Sequence, residues 1–386
     1  MRICRISTVP FFVLHHLSNQ ISAAAEAGHE VTVICSPGAG MDSVEKLPVA
    51  RTIFLDIPRP ISPLRDLRAL VGLVRRFRQI SPDIVHSATP KAGLLTALAA
   101  WIAGVPIRMH TFTGQAWSTL KGPRRWIVMT CDWIICHLNT MCYADSASQR
   151  EVLIEARVSS PQGLRVLGDG SLAGIDLDRF NQQRWSEQQR RELRDALRIP
   201  ANAPVITFVG RVTRDKGIVE LTVAFREIQR RHPDAHLLVI GPLESDQDPV
   251  PAETVAELEA NAGVRMLGYE SYPERFLAIT NIFCLPSYRE GFGTVIIEAA
   301  AMGIPSVSTR IPGVIDAIVD GETGILVPPA EADALAKGLL SLIEKPDLYA
   351  SLASAAQQRA AKLFSKERLG RLLLEEYATL RDAEVN

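Results

Sequence analysis

The two halves of this sequence begin in the same way: a short apolar run, a loop, a helical stretch and a second apolar run. Met1–Val9 (MRICRISTV) leads through Pro10–His16 into an amphipathic stretch that ends at Gly28, and Glu30–Cys35 (EVTVIC) follows. Strand, loop, helix, glycine, strand predicts a βαβ unit, the opening of a doubly wound parallel sheet. Val205–Gly210 (VITFVG) restarts the pattern, with a helix expected from about Gly217 to Arg231. AHLLVIG, VRML, NIFCLPS and PSVST then read as further short strands between helices. Two α/β domains are the expectation, and 386 residues are enough for both. The glycine-rich stretch Gly168–Phe180 (GDGSLAGIDLDRF) marks the junction. The domains are therefore expected at 1–180 and 181–365, with a last helix, 366–386, free to pack back on the first.

A net charge of −1 argues against a nucleic-acid binder. The charge is uneven, however. Residues 1–180 carry 19 Lys/Arg against 14 Asp/Glu, and residues 181–386 carry 23 against 29. A basic first half suits an anionic partner such as a phospholipid surface or a phosphorylated acceptor, or has no partner at all. Leu64–Ile80 (LRDLRALVGLVRRFRQI) is a basic amphipathic helix, and Lys121–Met129 adds a second basic, bulky cluster. Each reads either as an interfacial segment or as a helix docked on the sheet. Cysteines 4, 35, 131, 136, 142 and 284 form no CxxC pair and read as reduced thiols of a cytoplasmic protein. The uncharged, largely apolar run Ala92–Ile107 holds Gly93, Gly104 and Pro106 and is too short to span a bilayer. Any membrane contact is expected at the inner surface.

Glu290–Glu298 (EGFGTVIIE) carries the most chemistry. Val295–Met302 is apolar on every face and predicts a buried helix with Glu298 in its middle. A buried carboxylate costs about several kcal/mol unless it is met, and a pair of sugar or ribose hydroxyls could meet it. Glu290 falls just before the helix. Gly291 and Gly293 allow close approach of a ligand, and the helix N-terminus favours an anion such as a diphosphate. The two glutamates do not suit a hydrolase pair: on one helix they would lie roughly 12 Å apart, against about 5–9.5 Å in glycosidases. Arg211 and Lys216, after the strand that ends at Gly210, form a plausible diphosphate cradle. The loop after the first strand offers Phe11, Phe12, His15 and His16 to an acceptor, because ligands gather at the carboxyl ends of such strands.

Taken in order, Gly210-Arg211 with Lys216-Gly217, the NIFCLPS strand, Glu-x7-Glu, Gly303-Ile-Pro and DGETGILVPP closely resemble the retaining family 4 glycosyltransferases of the GT-B fold. The resemblance is specific in the second half and looser in the first, through AGHEVTVI and PDIVH. It implies two Rossmann-like domains facing a central cleft, a first for the acceptor and a second for a nucleotide-diphospho-sugar. It also implies retention at the anomeric carbon and no metal or other cofactor. By the same resemblance Arg211 and Lys216 stabilise the diphosphate leaving group and Glu290 binds donor-sugar hydroxyls. Gly291, Phe292, Gly293 and Thr294 lie against sugar and phosphate, and Glu298 binds the ribose. The expected donor is a UDP-sugar and the expected acceptor a lipid-linked saccharide of surface-polysaccharide assembly. A sugar-nucleotide epimerase and a non-catalytic nucleotide-sugar-binding subunit are the alternatives. One departure stands out: many relatives carry Thr-Phe-His near the donor sugar, where this chain has HTFTGQ. Thr113 and Gly114 are the expected lining pair on the strand's face geometry, with His110 the alternative. Phe12, His15, His110 and Gly114 make up the expected acceptor side.

Overall fold

A computed structural model describes residues 1–245 and 248–385. The chain divides into two compact units, Met1–Gly174 with Phe364–Asn386, and Ile175–Leu363. The second unit is thus inserted into the first.

Among the described residues the first unit holds seven strands: β1 (Arg2–Ile6), β2 (Glu30–Cys35), β3 (Arg51–Phe54), β4 (Ile84–Ala88), β5 (Ile107–Phe112), β6 (Met141–Ala144) and β7 (Leu164–Val166). They form one parallel sheet in the order β3-β2-β1-β4-β5-β6-β7. Both faces are covered, so the strands are apolar nearly throughout. Side chains alternate between faces. Ile3 enters one core with Val31, Val33 and Ile84, and Cys4 and Ile6 enter the other with Ile34 and Val85. The second core is closed by the helices Pro63–Ile80 and Pro90–Ala103. The first is closed by the helix Ser18–Glu26 and by the C-terminal helix Lys366–Val385, which supplies Leu373 and Tyr377.

Tyr377 also reaches a buried polar cluster. Arg5 Nη1 donates to Tyr377 Oη at 2.7 Å and lies against His86 Nδ1, and its Nη2 donates to Gln20 Oε1 at 2.8 Å. Tyr143 Oη donates to Glu376 at 2.6 Å from the same helix. An arginine this deep is costly unless its donors are used, and three elements converge on its two terminal nitrogens.

The second unit repeats the plan with β8 (Val205–Val209), β9 (His236–Ile240), β10 (Val264–Gly268), β11 (Ile282–Leu285), β12 (Ser306–Thr309) and β13 (Gly324–Val327). The parallel order is β10-β9-β8-β11-β12-β13. In each sheet the strand order reverses beside the first strand, at β1/β4 and at β8/β11. Ligands of open α/β sheets collect beyond the carboxyl ends at such points.

The segment Pro10–His16 is not the loop that its sequence suggests. Pro10–Phe12 is a helical turn and Val13–Leu17 a π-helical one, continuous with the helix Ser18–Glu26. Pro10 sits at a helix start, where it loses no hydrogen bond, and Val13 and Leu17 are driven into the core. Single π-turns of this kind concentrate at functional sites.

Candidate active site

The second unit's site begins at the turn after β8. Arg211 follows Gly210 directly, Arg214–Lys216 makes a single 3-10 turn, and the helix Ile218–Arg231 starts at Gly217. Gly217 has φ +71°, and a Cβ there would lie 2.1 Å from the carbonyl oxygen of Pro286. Only glycine allows this turn to press so closely on the segment that leaves β11. The Tyr288 N–H donates to the Asp215 carbonyl at 2.8 Å, tying the two segments together.

Two side chains complete the junction. Lys216 Nζ donates to Glu290 Oε1 at 2.5 Å, and Ser287 Oγ donates to the same oxygen at 2.8 Å. Thr309 Oγ1, at the end of β12, donates to the Ser287 carbonyl. Lys216 and Glu290 keep only 15% and 14% of their side-chain surface exposed. The pair is therefore shielded but reachable by a ligand. Arg211 lies close enough to help hold Asp215 charged, yet its guanidinium makes no hydrogen bond or ion pair with a described residue. Burial raises the Asp215 carboxyl. The hydrogen bond from Thr213 and the charges of Lys216, Arg289 and Arg211 outweigh that and hold it below its ordinary value.

Gly291, Phe292 and Gly293 carry the chain to the helix Thr294–Ala301. Gly293 caps it at φ +82° with no side-chain hydrogen bond; the Ile296 N–H turns back to the Gly293 carbonyl at 2.8 Å, and the N–H groups of Thr294 and Val295 are left for a ligand or solvent. Ile296, Ile297 and Ala299–Ala301 are buried, as an all-apolar helix predicts. Glu298 is only half-buried and accepts no hydrogen bond from a described residue. Burial pushes its carboxyl up to about 8; Arg179 pulls the other way, and Glu274 adds to the rise. Among the described residues, then, no hydrogen-bond donor meets Glu298, and only the charge of Arg179 favours its ionised form.

In the first unit Thr113 and Gly114 directly follow β5, half-buried, with Gly114 at φ +115°. Phe11 and His15 stack with ring centroids 4.2 Å apart and are exposed, while Phe12 packs on His16 at 4.6 Å and is half-buried. His110 does not stand on an acceptor face. It is buried in β5, shares a 2.9 Å hydrogen bond with Ser87, and packs edge-on against Phe112. A Cβ on Gly93 would lie 2.4 Å from its ring, so a helix glycine makes room for it. Burial drives its pKa down to about 3, leaving a neutral core residue. Among the described residues no three His, Cys, Asp or Glu side chains gather where they could hold a metal.

Ser287, Thr309 and Asp215 did not announce themselves in the sequence, because what they hold is set by strand pairing. Arg179 and Glu274 lie far from Glu298 in sequence and carry no motif.

Two Rossmann-like α/β units, the second bearing a cation cradle and a Glu-x7-Glu segment, define a GT-B glycosyltransferase. Comparison with known proteins agrees. Residues 189–359 match the family model of glycosyl transferases group 1, and residues 14–170 match the glycosyl transferase 4-like domain. A capsular polysaccharide biosynthesis glycosyltransferase, CapM, of Staphylococcus aureus is 31% identical over 371 residues, covering 95% of each chain. An Escherichia coli UDP-Gal:alpha-D-GlcNAc-diphosphoundecaprenol alpha-1,3-galactosyltransferase is 23% identical, with 82% of this chain and 80% of that protein covered. Among solved structures, Anabaena Alr3699/HepE in complex with UDP-glucose superposes with a TM-score of 0.82 at 21% identity, covering 98% of this chain and 100% of that one. The chain belongs to the family 4-like, group 1 glycosyltransferases and is a sugar-transferring enzyme.

Proposed function

We propose that the protein transfers a sugar, with retention at the anomeric carbon, from a UDP-sugar to a hydroxyl of a lipid-linked saccharide in surface-polysaccharide assembly. The observation that carries the donor half is the end of the second sheet. There Arg211, a cation whose guanidinium is hydrogen-bonded to no described residue, lies on the same turn as Lys216 of the Lys216–Glu290 pair, and Glu298 accepts no hydrogen bond from a described residue. Arg211 and Lys216 take the diphosphate and stabilise the charge that develops as it leaves, the task that otherwise falls to a metal. The open N-terminus of the helix Thr294–Ala301 adds backbone donors, with Gly291–Thr294 against the phosphates. Glu290, oriented by Lys216 and Ser287, accepts from hydroxyls of the donor sugar, and Glu298 accepts from the ribose. In the first unit Thr113 and Gly114 line the reacting sugar, and Phe12 and His15 contribute to acceptor binding. The uridine donor and the lipid diphosphate acceptor follow relatives named for them.

A membrane surface is the expected partner of the first unit. The helix Pro63–Ile80 buries Ala69, Leu73, Phe77 and Ile80, but it also carries a second apolar stripe outward. Leu64, Leu67 and Val71 are exposed on it beside Arg65, Arg68 and Arg75. Trp126 and Ile127 are exposed beside Arg124 on the helix Gly122–Leu138. Apolar bulk rimmed by cations suits an anionic bilayer surface. No described helix is long and apolar enough to cross a membrane.

A thermal-shift screen of UDP, GDP, ADP and their sugar conjugates tests the donor. A ligand at a hundred times its Kd adds about 2.7 kcal/mol to the folded state. Selective stabilisation by uridine nucleotides, lost in Lys216→Ala and followed by EDTA-insensitive transfer to a lipid-diphosphate saccharide, is the expected result. An epimerised UDP-sugar formed without acceptor would replace the transferase reading, and no response to any nucleotide would remove the donor assignment.

A further inference from the structure

Arg179 lies near the start of the second unit, beside two carboxylates that it serves unequally. Its Nη2 donates to Glu274 Oε2 at 2.8 Å and to the Ser271 carbonyl at 2.9 Å. Its guanidinium carbon sits 5.1 Å from the centre of the Phe180 ring and 5.9 Å from that of Tyr272. Glu274 is only 5% exposed, and a carboxylate so deep requires a charged partner. The second carboxylate, Glu298, feels the same guanidinium without a hydrogen bond to it. Arg179 Nε, meanwhile, is a buried donor with no acceptor among the described residues. An unused donor and an unused pair of acceptor oxygens therefore stand in one charge cluster.

We propose that Arg179 is a positioning residue for the donor nucleotide: by neutralising Glu274 and holding the Ser271–Glu274 turn, it enables Glu298 to accept both ribose hydroxyl protons. The proposal rests on the reading of Glu298 as the ribose carboxylate. The physical logic is a shared cation. An ionised carboxylate offers both oxygens purely as acceptors, whereas a protonated one commits one oxygen to an O–H donor. Glu274 repels a charge on Glu298, and Arg179 offsets that repulsion. Without Arg179, Glu298 would face Glu274 alone and stay protonated further into the alkaline range, where it offers a proton to the ribose rather than a second lone pair. The turn that Arg179 holds is also the one that carries the exposed Tyr272 ring, so a single side chain fixes the geometry of two neighbours at once.

The test is calorimetric titration with UDP-glucose, whose diphosphate is esterified at both ends and so has no group that titrates near neutral pH. It compares wild type with Glu298→Gln, Arg179→Lys, Arg179→Gln and the double variant Arg179→Gln/Glu274→Gln. Wild-type affinity is expected to rise with pH and level off as Glu298 ionises. Arg179→Gln should bind about tenfold more weakly at neutral pH, with the midpoint of the rise moved to higher pH. Arg179→Lys should keep the midpoint. The double variant, which removes the repelling carboxylate as well, should bring it back, and it carries the test if Arg179→Gln fails to fold. A loss equal at every pH with an unmoved midpoint, or no loss, overturns the proposal alone. Wild-type binding by Glu298→Gln at every pH overturns the ribose reading and the proposal with it.

Discussion

Removing either member of the Lys216–Glu290 pair should separate stability from chemistry in a measurable way. The pair is about 15% exposed on each side, between the surface and core limits. Breaking a fully buried pair by removing one partner costs about 3–5 kcal/mol, and exposed pairs contribute about 0–1. Ser287 continues to donate to Glu290 when the lysine is gone, which softens the loss. Lys216→Ala is therefore expected to cost about 2–3 kcal/mol, a Tm decrease of about 4–12 °C for a unit of this size. Glu290→Ala, which strands the lysine instead, should fall in the same range. The double variant should be more stable than the sum of the two by at least about 1 kcal/mol, because the second removal takes away the orphaned charge. Turnover behaves differently. Loss of a preorganised donor at a developing negative charge costs about 10²–10³ in kcat, and the double variant regains none of it. The assays are scanning calorimetry without ligand and donor turnover at saturating acceptor. Additive Tm losses would show that the pair is not coupled. Near wild-type kcat in Lys216→Ala would remove it from the reaction.

Two further perturbations probe the frame. Gly217→Ala places a Cβ 2.1 Å from the Pro286 carbonyl at a φ that costs a non-glycine residue about 1–2 kcal/mol. The turn must shift away from Glu290, so kcat/KM should fall at least about tenfold, and unchanged kinetics would refute the claim that this contact sets the site. Asp132 accepts from Trp117 Nε1 at 2.8 Å, yet burial pushes its carboxyl up to about 7, the hydrogen bond only partly opposing it. A raised acid contributes stability that is complete below its unfolded pKa, about 3.9, and is lost as pH rises through the folded value. Asp132→Asn lacks that loss. Its Tm advantage over wild type should therefore grow from about pH 4 to pH 8 and then level off, and a pH-independent difference would contradict it.

The fold was legible because its signals are local. Val205–Gly210 and Glu30–Cys35 are apolar on both faces, as strands covered on both sides must be, and glycines punctuate the helices between them. Lys216 and Glu290 were legible as residues but not as a pair: the 2.5 Å contact depends on β8 lying beside β11, which no spacing encodes. Pro10–His16 misled because proline and adjacent aromatics read as a loop, whereas burial of Val13 and Leu17 imposes a helical turn. His110 misled because an ionisable residue near a strand end reads as reactive. The missing Cβ of Gly93, which gives it a core pocket, lies on another element. Arg179 was invisible because its partners, Ser271, Glu274 and Glu298, come together only in three dimensions.

The return of the chain to the first unit dictates an order of synthesis. Arg5 and His86 leave the ribosome long before Tyr377, which reaches both and follows the whole of the second unit. At about 5–20 residues per second the inserted unit has time to fold while the first sheet still lacks its closing helix. During that interval the apolar face that will receive Leu373 and Tyr377 stays open, an invitation to chaperones or to aggregation. Messages truncated ahead of the codons for Lys366–Val385 should then yield a protein whose second unit is sound and whose first is not, so quality control of this enzyme rests on that one returning helix.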